Sequence, residues 1–386
     1  MMRRRELIAC LVLIAVTSLT PRISSASRTW SVYLDGSGDA PTIQAAVDTA
    51  QSGDVVLVGP GNYENGFAQI RSKSIALRSA SGPTATIIRA LTAFEPMPGG
   101  TQQVEVSGFS LMAPVDADYA PLFAANVLSF SLIDCRIEGY RKKMLIAQVG
   151  QVSILDCDFI HNQDTEPDDP QFTGTLNVRT HLDSYDNEIR RCRFIENSSV
   201  NGVPRQGYGG GALHVRTADR SEIRITECLF LRNSARSGGA ASLERTGVFF
   251  ENNTVIGNEA EDGAVFRTEV HGSMRDNVFA WNKTNGLYDD GGEECMCNAY
   301  FGNDGWGERG EWWGWCGRNE DIYADPLFCE PESEDYRLQE SSPLIPEFFP
   351  PEAQNCEDTI GAFPVGCEPQ ATLSVTWGRL KSLYGR

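Results

Sequence analysis

Histidine, net positive charge and long apolar runs are what this 386-residue chain has least of. Its four histidines, His161, His181, His214 and His271, assemble no Ser/His/Asp set and no His-rich metal motif. Basic residues number 33 against 52 acidic ones, a formal charge of −19. A surface of that sign repels phosphate backbones and anionic lipid, which excludes nucleic acid as a partner. After residue 26 no stretch is long and apolar enough for a membrane helix, so no membrane span is expected. The one apolar run near the start, Leu7–Val16, follows Arg3, Arg4 and Arg5 and precedes Ser24-Ser25-Ala26. Those are the three parts of a secretory signal, and an exported protein (extracellular, cell-surface or periplasmic) is expected. Loss of residues 1–26 would remove four basic and one acidic residue and move the charge to −22.

What the chain does have is a repeat. ILDCDFIHN (154–162), IRRCRFIEN (189–197), ITECLFLRN (225–233), FENNTVIGN (250–258) and MRDNVFAWN (274–282) share one frame, apolar-x-x-(Cys/Asn)-x-apolar-x-x-Asn, with a degenerate copy at LIDCRIEGY (132–140). A period of 22–25 residues, with two longer intervals, suits short strands wound into stacked coils. Coils ~4.8 Å apart set equivalent residues into ladders. Cys192 and Phe194 then share an inward parity with their counterparts. Asn162, Asn197, Asn233, Asn258 and Asn282 are expected to form a turn ladder, in left-handed backbone with amides bonded between coils.

Phe159–Asn162, Phe194–Asn197, Phe230–Asn233 and Phe279–Asn282 fit F-x-x-N, and Gly210-Gly211-Ala212-Leu213 fits G-G-A-(I/L/V). On these marks residues 150–285 resemble the polymorphic outer-membrane protein repeats. PTIQAAVDTAQSGDVVLVGPGNYEN (41–65) resembles the opening of pectin-lyase-like β-helix proteins. Ile43, Ala46, Val47 and Ala50 lie at helical spacing for a short end-capping helix, with Val55–Val58 as the first buried strand. The expected fold is all-β: a right-handed, single-stranded parallel β-helix of roughly ten coils. The expected divisions are a signal peptide (1–26), the β-helix (27–290), a disulfide-tied C-terminal section (291–368) and a tail (369–386). The Gly-His-Gly and Asn-Thr-Asp marks of polygalacturonases are absent, and the acidic triad and basic motifs of pectate lyases have no match.

Of eleven cysteines, Cys10 lies in the apolar run near the start and the other ten divide into two groups. Cys135, Cys157, Cys192 and Cys228 fall on one inward column, where coil spacing exceeds the ~3.8 Å between Cβ atoms that a disulfide requires, so stacked thiols are expected. Cys295, Cys297, Cys316, Cys329, Cys356 and Cys367 lie in Gly-, Pro- and acid-rich sequence and are expected to pair as staples, in a connectivity that sequence leaves open. Cys295-x-Cys297 lacks the nearby His or second close pair of a zinc motif. Asp-rich loops offer oxygens to Ca²⁺ at no diagnostic spacing, and no cofactor is expected.

Two places could carry function. The long intervals place enlarged loops, 163–174 and 198–211, at one corner of consecutive coils. On the strand that follows each, outward parity gives one column of Asn177, His214 and Ser242 and a second of Arg179, Arg216 and Glu244. Paired arginines beside a histidine could hold a sugar carboxylate, or serve as base in uronate β-elimination, with Glu244 as a further weak catalytic candidate. The plainer reading is a solvated ladder with an Arg216–Glu244 ion pair. Trp306, Trp312, Trp313 and Trp315 make the second place, either a glycan-stacking platform or a cap over the last coil. The tail 372–386 reads as a docking segment or a terminal helix. The leading expectation is a monomeric, non-catalytic binding scaffold directed at a polysaccharide or cell-surface glycan. A polysaccharide lyase or glycoside hydrolase acting on uronate-containing polymer is the alternative, and a structural or adhesive surface protein the third.

Overall fold

Segments of three to five residues, rich in Val, Ile, Leu and Phe and punctuated by Gly, Asn and Asp, are too short for helices and alternate correctly for strands. In the computed structural model they form strands stacked coil on coil. Residues 27–95, 101–114, 119–165, 174–181, 186–200, 209–218, 221–244, 247–263, 265–268, 272–283, 288–290, 294–304 and 320–367 are described. The first sheet has eleven strands, from Thr29–Val32 to Glu294–Met296. The second has nine, from Phe67–Arg71 to Tyr288–Asp290, and the third ten, from Gly61–Asn62 to Ala299–Phe301. Pairing within each is parallel, every strand bonding its equivalent in the next coil. The protein is a right-handed parallel β-helix, the hand that twisted parallel crossovers adopt. The four-residue strand Thr29–Val32 precedes Val55–Val58 and pairs with it, so Val55–Val58 is the second strand of its sheet rather than the first.

The repeat frame is one half of a coil. Its middle residue turns the first sheet into the third, and its end turns the third sheet toward the second. The residue before each Cys or Asn takes the left-handed conformation: Asp156, Arg191, Glu227, Asn252, Asp276 and Cys297 at one corner, His161, Glu196, Arg232, Gly257, Trp281 and Gly302 at the next, with φ from 51° to 62°. This corrects the expectation for the asparagines, which lie one position later. Each turns its amide inward instead. Asn197 accepts from the backbone N–H and Nδ2 of Asn162 (3.0 and 3.1 Å), while its own Nδ2 donates to the Phe159 carbonyl and to Asn233 (2.8 and 3.0 Å). The pattern continues through Asn258 and Asn282 to Asn303. The asparagine amides of the turn are thereby partnered, which helps hold non-glycine residues in a conformation they otherwise avoid.

Cys135, Cys157, Cys192 and Cys228 are buried free thiols on one column, as expected, and burial pushes Cys157 and Cys228 well above the ordinary thiol range. The column passes without a break into asparagine: the Cys228 N–H donates to Asn253 Oδ1 (3.0 Å), and Asn253 to Asn277 and Asn277 to Asn298 repeat the amide ladder. Beside it Phe159, Phe194 and Phe230 stack with centroids 4.9 and 4.8 Å apart.

The N-terminal end is closed. The helix Ile43–Thr49, capped by Thr42, lies over the N-terminal opening. Gln44 gives its side-chain amide to the exposed edge of the second sheet, donating to Gln69 O (3.1 Å) and accepting from Gln69 N (2.8 Å). The C-terminal section closes a flank instead of an end. One outward column of the third sheet is charged at Arg136, Asp158 and Arg193 before it reaches Leu229, Thr254 and Val278, while the other runs from Glu138 through Ile160, Ile195, Leu231, Ile256 and Ala280. Phe328, Tyr336, Leu338, Leu344, Ile345 and Ile360 pack on that apolar face. Thr254 Oγ1 accepts from the Ala362 N–H (2.9 Å), and Asn252 Nδ2 donates to the Thr359 carbonyl (3.2 Å). Disulfides join Cys297 to Cys356 and Cys329 to Cys367, and Cys295 is also disulfide-bonded. Cys316 lies outside the described residues.

Candidate functional site

Glycine shapes the corner between the third sheet and the second. A Cβ on Gly211 would lie 2.2 Å from the Gly239 carbonyl oxygen, and one on Gly209 2.3 Å from that of Ser237. Successive coils therefore touch backbone to backbone here, and no side chain fits between them. Gly209 and its neighbours lead into the strand Leu213–Arg216, which lies between Leu176–Thr180 and Ala241–Glu244.

The predicted columns are in register. Asn177 pairs with His214 and then Ser242; Arg179 pairs with Arg216 and then Glu244. Leu213, Val215, Leu243 and Val178 take the alternate parity and fill the core. The expectation of exposure is corrected. Asn177, His214 and Ser242 are fully buried, Glu244 is 6% exposed, and the side chain of Arg216 is 26% exposed. His214 lies outside the solenoid core yet is covered: its Nδ1 is 3.1 Å from the Gly209 carbonyl. A carbonyl can only accept, so Nδ1 carries the proton and Nε2 the lone pair. Nε2 faces Glu244 at 3.6 Å. Burial pulls the His214 pKa down to about 3, with the Arg179 charge as the next cause and Arg216 contributing further. The imidazole is neutral at any physiological pH.

The arginines are held differently. Arg179 Nε donates to Asn177 Oδ1 (3.2 Å), which fixes its guanidinium along the strand. Arg216 is 3.9 Å from Glu244, so the plainer ion pair forms, but half-buried rather than solvated. Opposite Arg179 the strand Met144–Val149 bulges: Ile146 pairs with Val178 and Val149 with Thr180, so two residues face one. The extra residue, Gln148, is left-handed (φ 53°) and exposed. Bulges re-aim neighbouring side chains. No turn residue in MLIAQV announces this one.

Of the other candidates, Trp306, Trp312, Trp313 and Trp315 lie outside the described residues, as do most of both enlarged loops, the leader and the tail. His161 stands apart from the columns, at a corner between Glu138 (3.8 Å) and Glu196 (2.9 Å).

No family model matches the chain, and no curated protein matches it. Among solved structures it is similar to a pectin methylesterase from carrot, at 13% sequence identity and a TM-score of 0.37, over 88% of this chain and 99% of that one.

Proposed function

We propose that this protein is an exported, non-catalytic scaffold that binds an acidic glycan along the outer face of its second sheet. One observation carries the reading: Arg179 and Arg216 stand in register on neighbouring strands, one fixed by Asn177 and the other beside Glu244. Guanidinium groups bind carboxylates by paired hydrogen bonds, and two at coil spacing match repeated carboxylates of a uronate polymer. The chemistry favours binding over turnover. A histidine whose pKa lies near 3 is too weak a base for β-elimination at neutral pH. Glycoside hydrolysis uses two facing carboxyl groups, and the three-rung stretch from Asn177 and Arg179 to Ser242 and Glu244 holds one carboxylate, Glu244.

The test compares acidic with neutral oligosaccharides on the purified mature protein, with ultraviolet detection of unsaturated uronates in parallel. Binding of uronate oligomers, lost in Arg216→Ala at unchanged melting temperature, is expected. Preference for neutral glycans, or release of unsaturated product, would overturn the reading.

A further inference from the structure

The staple that ties the C-terminal section to the solenoid stands beside a third ligand-bearing group. Cys297 occupies a left-handed corner of the coil stack, Cys356 belongs to the covering section, and Glu320 stands at the start of that section's described part. The two sulfurs and a Glu320 carboxylate oxygen all lie within 4.8 Å of one another. Both cysteines are buried, at 1% and 5% exposure. The carboxylate is already oriented: Asn355 Nδ2 donates to Glu320 Oε1 (2.6 Å). Such a partner behind a metal-binding carboxylate is the usual outer shell of a metal site.

We propose that the reduced chain binds one Zn²⁺ through Cys297, Cys356 and Glu320, and that the ion then holds the C-terminal section in place of the disulfide. A dithiol reductant supplies two electrons and two protons to the Cys297–Cys356 bond, becoming a disulfide itself and leaving two thiols. Zn²⁺ displaces both thiol protons to solvent and joins two thiolates and a carboxylate, with water as fourth ligand. Little movement is needed. Sulfurs about 2.3 Å from a tetrahedral ion lie roughly 3.8 Å apart. Disulfide sulfurs in general lie about 2.0 Å apart, so the pair parts by less than about 2 Å to reach that geometry. The set differs from Cys295-x-Cys297, since Cys295 has a disulfide of its own.

The experiment uses the full mature chain carrying Cys329→Ser and Cys367→Ser, reduced with a phosphine under argon and titrated with Co²⁺ as spectroscopic probe, then with Zn²⁺. One equivalent of Co²⁺ is expected to give thiolate-to-cobalt absorption and tetrahedral visible bands, which Zn²⁺ abolishes. Cys356→Ser should remove them, Glu320→Gln should weaken binding about tenfold or more, and Cys295→Ser should leave them intact. Trypsin supplies an independent readout: cleavage after Arg337 should be slow in the oxidised chain, fast after reduction, and slow again with Zn²⁺. Absent cobalt–thiolate bands, bands that survive Cys356→Ser, or cleavage that Zn²⁺ leaves unchanged would each overturn the proposal.

Discussion

At the scale of single residues the candidate site combines charges that must stay with one that must not form. His214 is buried against Gly209, with Arg179, Arg216 and Glu244 around it. Its folded pKa, about 3, lies below the ordinary 6.5. As pH falls through 6.5 the unfolded chain takes up a proton that the folded chain refuses, so stability is full above that point and declines toward pH 3. Denaturant midpoints measured from pH 7.5 to 4 should fall in the native protein, and His214→Gln should flatten that slope; an unchanged slope would remove the buried neutral imidazole from the account. Sequence parity set Asn177, His214 and Ser242 in one column and Arg179, Arg216 and Glu244 in the other, and the strand register does the same. It could not report their burial, because the backbone that covers His214 arrives from a corner where glycines let chains meet at carbonyl distance.

At the scale of the element, the turn carries most of the specification. The frame read from Cys157 to Asn162 recurs through Cys192–Asn197 and Asn253–Asn258, and its inward column, its phenylalanine stack and its asparagine ladder all appear in the fold. The left-handed residue was read one position late, since asparagine's tolerance of that conformation is a local preference whereas its amide ladder is set by the neighbouring coils. Asn233 shows the magnitude. It donates to Phe194 O and Asn258 Oδ1 and accepts from Asn197. Asn233→Ala would strand several buried groups at about 1–3 kcal/mol each. A loss of roughly 3 kcal/mol or more is expected by urea unfolding, and a loss below about 1 kcal/mol would show that the ladder contributes little beyond shape.

At the scale of the whole molecule, cysteine and apolar surface act together. The sequence distinguished buried thiols from staples, but it gave no sign that the C-terminal section covers a flank. That arrangement depends on apolar residues at outward positions from Ile160 onward, which a single coil read alone would count as ordinary. The section has little core of its own, and the disulfide between Cys297 and Cys356 closes 59 residues of chain. Replacing both cysteines by serine should cost about 2–4 kcal/mol. Hydrogen exchange should accelerate over 328–362 while strands Ile75–Ser79 to Gln151–Leu155 stay protected, because coils contact only their neighbours; uniform acceleration along the chain would contradict this.

The asparagine ladder also sets where the molecule can vary through descent. Its two corners lie five residues apart in every coil from Cys157–Asn162 to Asn298–Asn303. An inserted residue there would throw an amide out of line and uncouple two neighbours. Among the described residues the remaining arc carries no continuous ladder of this kind, and its length differs from coil to coil. One side of the solenoid is thus a fixed spine imposed by geometry, and the other is the margin where new loops, and with them new ligands, can be admitted without refolding the rest.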